Sequence, residues 1–275
     1  MIAPGAEIPR VDVLGVGISA VNLKTAVEAV SRWIQEDRRT YVCVTGVHGV
    51  MESQRDPTLL DIHNRSGLTT PDGMPMVWAG RWAGAKNMER VYGPQLMRQL
   101  LEKAEHEAWT NYFYGGAPGV ATTLAQRLLS RYPNLRIVGT HAPPFQPLSE
   151  DEDAAEVAII NAASPDLLWV GVSTPKQERW MAAHLGSLNA KVMLGVGAAF
   201  DINAGLRRSA PALMQRMGLE WLYRLIREPR RLWYRYLRNN PAFLLAVTSR
   251  RPFMRGGEGV QQDPNPVDQR DCRDH

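Results

Sequence analysis

Residues 111–131 read NYFYGGAPGVATTLAQRLLSR, a short apolar run that breaks on glycine and resumes with apolar residues three and four apart. Asn111 to Tyr114 reads as a strand, Gly115-Gly116-Ala117-Pro118-Gly119 as a tight turn, and the stretch to Arg131 as a helix. The same rhythm continues downstream. Arg136 to Gly139 is a strand, Ser149 caps an acidic-starting helix that runs to Ala163, and Asp166 to Gly171 is a strand. Thr174 to His184 follows as a helix, and Lys191 to Val196 as a strand ending in Gly197. Upstream, Val11 to Gly17 reads as a first strand, Asn22 caps a helix over Leu23 to Ile34, and Tyr41 to Thr45 is a buried strand. A helix over Val50 to Asn64 is interrupted by Pro57, Leu68 to Pro71 leads into the turn at Asp72-Gly73, and Pro94 to Ala108 is a helix. Such alternation predicts an α/β fold with a mostly parallel sheet and helices on both faces.

The chain divides into three by composition. Residues 1–210 form the α/β core, residues 211–251 a helical, arginine-rich and aromatic appendage, and residues 252–275 a tail expected to be disordered. With 275 residues, 44% of them hydrophobic, the chain has the makings of a proper core. No apolar run is long enough to cross a bilayer, and Met1 to Arg10 lacks the pattern of a secretory leader. Cys43 and Cys272 lie in an apolar strand and a polar tail, so no disulfide is expected, in keeping with a reducing cytoplasm. The formal charge of +4 hides an asymmetry: Gln215 to Arg251 holds nine Arg, no Lys and two Glu, leaving −3 on the rest. A basic segment on a mildly acidic body points to a phosphate-bearing or membrane partner. A nucleic-acid partner fits less well, because the basic residues are confined to one appendage and no recognition fold accompanies them.

Ligands of parallel sheets gather at the carboxyl ends of the strands. Thr45, the Gly115, Gly116 and Gly119 turn, Lys176-Gln177-Glu178, and Gly197 with Asp201 all fall there by this reading. The glycine turn suits a diphosphate at a helix start, and read alone it equally suits an ordinary tight turn. It lacks the GxGxxG spacing of dinucleotide sites, which counts against an NAD(P)-dependent oxidoreductase. Lys176, Gln177 and Glu178 offer groups for phosphate, amide and hydroxyl contacts, or simply a solvated helix start. Asp72, between Pro71 and Gly73, reads on its own first as an ordinary turn residue, and its functional reading is a general base. Asp151-Glu152-Asp153 resembles a metal-binding DxD, but acids directly after Ser149 stabilise a helix start. The histidines are scattered, without zinc spacing. Trp221, Trp233, Arg224, Arg227, Arg230 and Arg231 belong to a Trp/Tyr/Arg/Leu mixture typical of a helix lying in a lipid interface, and those arginines also suit a diphosphate.

Taken together, these residues resemble one family. Thr45, Pro71-Asp72-Gly73, Glu89-Arg90-Val91-Tyr92-Gly93, Tyr114 to Gly119, Pro175-Lys176-Gln177-Glu178, Gly195-Val196-Gly197-Ala198, Gly218 to Leu225 and Glu228-Pro229-Arg230-Arg231 resemble, in order, the motifs of the WecG/TagA/CpsF glycosyltransferases. The likeness spans roughly Val11 to Phe243. It implies a Rossmann-like core and an inverting, metal-independent transfer of a sugar, often N-acetylmannosamine, from UDP to a polyprenyl-diphosphate-linked acceptor. The setting it implies is the inner face of a bacterial plasma membrane, during surface-polymer synthesis. It also implies that Asp72 is the base with Thr45 in its neighbouring pocket, that Arg90 and Gln177 are the motif Arg and Gln, with Gln177 and Asp201 near the nucleotide and Arg90 or the appendage arginines stabilising the departing UDP, and that the appendage closes over the site. Two departures stand out. Gly46-Val47-His48 lacks the Asn that many members carry, so His48 is expected to replace that contact, a variant more like the exopolysaccharide branch. Ser209-Ala210-Pro211 replaces Arg-Ala-Pro, with Arg207 and Arg208 expected to compensate. A member that keeps the fold as an inactive membrane module is the remaining alternative.

Overall fold

The computed structural model describes residues 8–144, 146 and 148–256. The chain opens with a hairpin, β1 (Arg10–Val13) and β2 (Val16–Ser19), then α1 (Leu23–Gln35), β3 (Thr40–Thr45), α2 (Val47–Ser53), α3 (Pro57–Arg65), β4 (Leu68–Pro71), α4 (Met74–Trp82) and α5 (Gly93–His106). It continues through β5 (Thr110–Gly115), α6 (Val120–Arg131), β6 (Arg136–His141), α7 (Glu150–Ala163), β7 (Leu167–Gly171), α8 (Lys176–His184), β8 (Val192–Gly195) and α9 (Ala199–Asn203). Three helices, α10 (Ala212–Arg216), α11 (Glu220–Arg227) and α12 (Pro229–Ser249), lead to a last short strand, β9 (Phe253–Met254).

Six strands form one wholly parallel sheet in the order β4-β3-β8-β7-β5-β6. Alternate residues of its strands face opposite ways and feed two cores. Val42, Phe113, Trp169 and Leu194 pack against α1, α5, α6 and α9 through Trp33, Leu100, Leu124 and Phe200. Tyr41, Tyr112, Leu168 and Met193 pack on the other face against Ile62, Ile160 and Met181 of α3, α7 and α8. Helix starts follow local chemistry: Asn22 and Thr25 form a reciprocal capping box on α1, and Ser149 and Glu152 form another on α7.

Three expectations are corrected. The run from Val11 to Gly17 is a hairpin, because Leu14 and Gly15 turn at φ 56° and 84° and Val11 pairs with Ile18. The interrupted helix is two helices: α2 starts at Val47, and Asp56 caps α3 with Pro57 in its first turn. The segment from 252 is ordered at its start, since β9 pairs with β1 and Arg255 bonds Asp12 at 2.9 Å. The rest of that expected tail, from residue 257, lies outside the described residues. α12 is not detached from the core: Phe243 and Val247 share an apolar cluster with β1, β2, α2 and α4.

Candidate active site

The carboxyl ends of β3, β4, β5, β7 and β8 open into one cleft of about 1220 Å³, whose opposite wall is made by α10, α11 and α12. That exceeds the usual range for a single small-molecule pocket and leaves room for two substrates.

Thr45, at the end of β3, is buried, lines the cleft and has no hydrogen-bond partner for its hydroxyl. Its carbonyl accepts from the Asp72 amide at 2.9 Å, and the Pro71 carbonyl accepts from Val91 at 2.9 Å, so two turns are strapped side by side. Gly46 completes the strap: a Cβ there would lie 2.6 Å from the Asp72 carbonyl oxygen. Gly46→Ala is therefore expected to fold normally by circular dichroism yet lose about 10²-fold in kcat, the usual cost of a misplacement near 1 Å.

Asp72 lines the cleft, its side chain 32% exposed. Burial lifts its pKa, while the charges of Arg90 and Arg224 pull it back part of the way. Arg90 is the hub of this corner. Its Nε lies 3.8 Å from Asp72 Oδ1, Nη1 donates to Gln215 Oε1 at 2.8 Å, and Nη2 pairs closely with Glu220. Its guanidinium also lies over the Tyr92 ring at 4.1 Å. Gln215 and Glu220 come from α10 and α11, so the guanidinium joins the core to the appendage. Burial raises the pKa of Glu220 and the neighbouring Asp72 charge raises it further, against Arg90 and Arg224. Arg224 lines the cleft close enough to feel both carboxylates.

His48 lies at the start of α2, on the cleft. Burial and then the charges of Arg235, Arg55 and Arg224 push its pKa down to about 4, so it is neutral at physiological pH. Asn239 of α12 donates to its Nδ1 at 3.2 Å, while the Asn239 carbonyl oxygen accepts from Arg55 at 2.9 Å. The imidazole proton therefore sits on Nε2, as a donor.

After β7, Lys176 and Gln177 line the cleft, and Gln177 Oε1 is buried without a partner. Glu178 is a correction: its side chain is fully buried and takes no part in the lining. Glu178 Oε1 accepts from Thr174 at 2.8 Å and from the Gln177 amide at 3.1 Å, so it orients Gln177 from behind. Burial raises its pKa, against those two hydrogen bonds. A carboxyl that holds its proton more tightly folded than unfolded costs stability as pH rises above its ordinary range. Glu178→Gln is expected to gain Tm relative to the parent, increasingly so as pH rises above the ordinary carboxylate range and then levelling once the raised folded-state pKa is passed, as thermal melts across pH will show.

The glycine turn is also partly corrected. Gly116 lines the cleft, whereas Gly115 and Gly119 do not. Gly115, at φ 119°, lies against Gly171, where a Cβ would come within 2.7 Å of backbone, and Gly119 takes the left-handed cap position of α6. Gly197 and Asp201 reach the cleft, as do Arg207, Arg208, Arg224, Arg231 and Trp221. Arg207 and Arg231 both pair with Glu228, at 2.7 and 2.5 Å. Arg227, Arg230 and Trp233 are exposed and outside the cleft, because the turn of α11 and α12 aims them at solvent. In the DxD-like run, Glu152 closes the α7 cap and Asp153 pairs with His184 at 2.8 Å.

Tyr92 and Glu220 fall within the quoted motifs without a role of their own, and Arg235 and Tyr236 fall within the basic aromatic segment; all four line the cleft. Gln215 and Asn239, which also line it, carry no local signal.

A sequence model of the family described as "Glycosyl transferase WecG/TagA/CpsF family" matches residues 11–256. Two relatives from Staphylococcus aureus, strains MRSA252 and MW2, are each 25% identical over 240 residues, covering 86% of this chain and 92% of theirs. Both are named N-acetylglucosaminyldiphosphoundecaprenol N-acetyl-beta-D-mannosaminyltransferase.

Proposed function

The chain belongs to the WecG/TagA/CpsF family of glycosyltransferases, and on that premise we propose that it moves a hexose, N-acetylmannosamine or a close relative, from a UDP-sugar to a polyprenyl-diphosphate-linked sugar, with inversion, in building a bacterial surface polysaccharide. The observation that carries this reading is the placement of the Asp72 carboxylate at the end of β4, beside Arg90, with arginines of the appendage lining the same cleft.

Asp72 takes the proton of the acceptor hydroxyl as its oxygen attacks the anomeric carbon. The carbon–oxygen bond to the diphosphate breaks on the opposite face, and the electron pair leaves with UDP. Arg207, Arg208, Arg224 and Arg231 line the cleft where they can neutralise that leaving group, the task a metal ion performs elsewhere. Chelation is accordingly expected to leave turnover unchanged. Thr45 and Gln177, each with an unpartnered buried oxygen, and Gly116, Lys176, Gly197, Asp201 and the Nε2 donor of His48 bind the two substrates.

Among the described residues no helix is long and apolar enough to cross a membrane. The exposed Trp233, Tyr234 and Leu237 of α12, interleaved with Arg230 and Arg238, instead suit attachment to the inner face of the plasma membrane, where the acceptor lies. The family is one of glycosyltransferases, which disfavours the oxidoreductase alternative. UDP release from a panel of UDP-sugars, with and without polyprenyl-linked acceptor, tests the proposal. Acceptor-dependent release supports it; vesicle binding with no release from any donor would favour an inactive module.

A further inference from the structure

Helix α4 carries Trp78 and Trp82 one turn apart, on one face, with side chains 52% and 51% exposed. Its other face is spent in the core through Met76, Val77 and Ala79. Strand β9 lies beside it and adds Phe253, 57% exposed, and Met254. The Arg251 guanidinium sits over the Trp82 ring at 5.7 Å. At the other end, Trp78 abuts the bend after α10, where a Cβ on Gly218 would come within 2.8 Å of its ring. That contact joins the exposed Leu213 and Met217 of the appendage to the same surface. The apolar face therefore runs from α10 across α4 to β9, and both α4 and β9 lie outside the appendage.

The charges carried by α4 and by residues 229–256 have one sign, and Asp12, which pairs with Phe253 in the β1–β9 ladder, is bonded by Arg255. Residues 74–82 hold no acid, and residues 229–256 hold seven Arg and no Lys, Asp or Glu. Exposed Arg81, Arg250 and Arg251 flank the tryptophans. Large exposed aromatics on segments that carry arginines and no acid match the headgroup–acyl boundary of an anionic bilayer, where Trp settles and Arg meets phosphate. An ordinary solvated surface does not gather tryptophans in this way.

We propose that α4 and β9 form a second lipid-contacting face, continuous with the appendage, which seats the core itself on an anionic membrane. This rests on the membrane reading of the proposed function and extends it from the appendage to the core. Trp78 also lines the cleft. The cleft mouth between α4 and α10 then opens at the bilayer surface, and an acceptor's lipid chain leaves it there without crossing water.

The test uses the full chain with vesicles of phosphatidylcholine alone or with added phosphatidylglycerol. Trp82 and Phe253 lie outside the cleft lining. W82E/F253E is expected to bind the anionic vesicles roughly tenfold more weakly than the parent. The conservative W82F should still bind, yet lose part of the fluorescence quenching produced by acyl-brominated lipid. Both variants should turn over a water-soluble, short-chain acceptor at the parental rate. Unchanged vesicle binding by W82E/F253E together with unchanged quenching of W82F would overturn the proposal. So would sedimentation showing a dimer that W82E disperses, which would assign the face to a second copy of the chain. Failure of the parent to transfer sugar to any acceptor would instead sink the glycosyl-transfer proposal, and the vesicle results would still decide this one.

Discussion

Asp72→Asn is expected to lower kcat by about 10²–10⁴-fold while leaving the donor KM nearly unchanged. The amide keeps the shape and loses the ability to take the acceptor proton. The argument is geometric. Asp72 stands at the end of β4, tied to Thr45 by its own backbone amide, and lines the cleft. Its pKa adds a second signature. Burial raises it above the ordinary carboxylate range, opposed by Arg90 and Arg224. A base must be ionised to work, so kcat/KM should fall with acid as pH drops through that raised value. The acid limb of the parent should therefore begin above the range of a free aspartate, and the residual activity of the Asn variant should not follow it. Steady-state kinetics across pH measures both effects. An Asn variant with parental kcat would remove Asp72 from the mechanism.

Arg90→Ala is the second large effect, expected to cost about 10²–10³-fold in kcat/KM. One guanidinium serves Asp72, Gln215, Glu220 and the Tyr92 ring. Removing it leaves Glu220 without its ion pair in a poorly solvated place and frees α10 and α11 from the core. Arg90→Lys should recover little, because a point charge cannot bridge partners on separate sides as a planar fork does. A merely electrostatic role predicts the opposite, near-complete rescue by Lys. Limited proteolysis offers an independent readout: the segment after Pro211 should become more susceptible in Arg90→Ala, while the sheet stays protected.

The parallel sheet was legible because its strands are short apolar runs ended by glycine or a turn, and the helices between them announce their caps. Asn22 with Thr25 and Ser149 with Glu152 are local signals, read from three or four neighbouring residues. Helix α4 was not legible. Its sequence, MPMVWAGRW, is apolar nearly all round and contains proline and glycine, so it has no amphipathic stripe to detect. The hairpin at Leu14-Gly15 was missed because two adjoining apolar strands read as one, and β9 because two residues carry no periodicity.

The site divides along similar lines. Residues at strand ends, such as Thr45, Gly116, Gln177 and Gly197, follow from topology alone, whereas Asp72 reads locally as a turn residue and needs the family resemblance to be picked out. Contacts across the chain were not accessible to pattern reading. Arg90 and Glu220 are 130 residues apart, and His48 and Asn239 are 191 apart. Glu178 shows the converse failure. A charged residue in a helix start reads as available to solvent or ligand, yet the fold buries it as a brace for Gln177.

The anomeric configuration of the transferred sugar, read by NMR on lipid-linked product made by the parent from a UDP-sugar of known configuration, speaks most directly to a single displacement driven by one carboxylate. Inverted product, formed in step with UDP release, is what proton removal by Asp72 and a single displacement predict. Product of retained configuration would require a different nucleophile in the cleft and would contradict the mechanism assigned to Asp72.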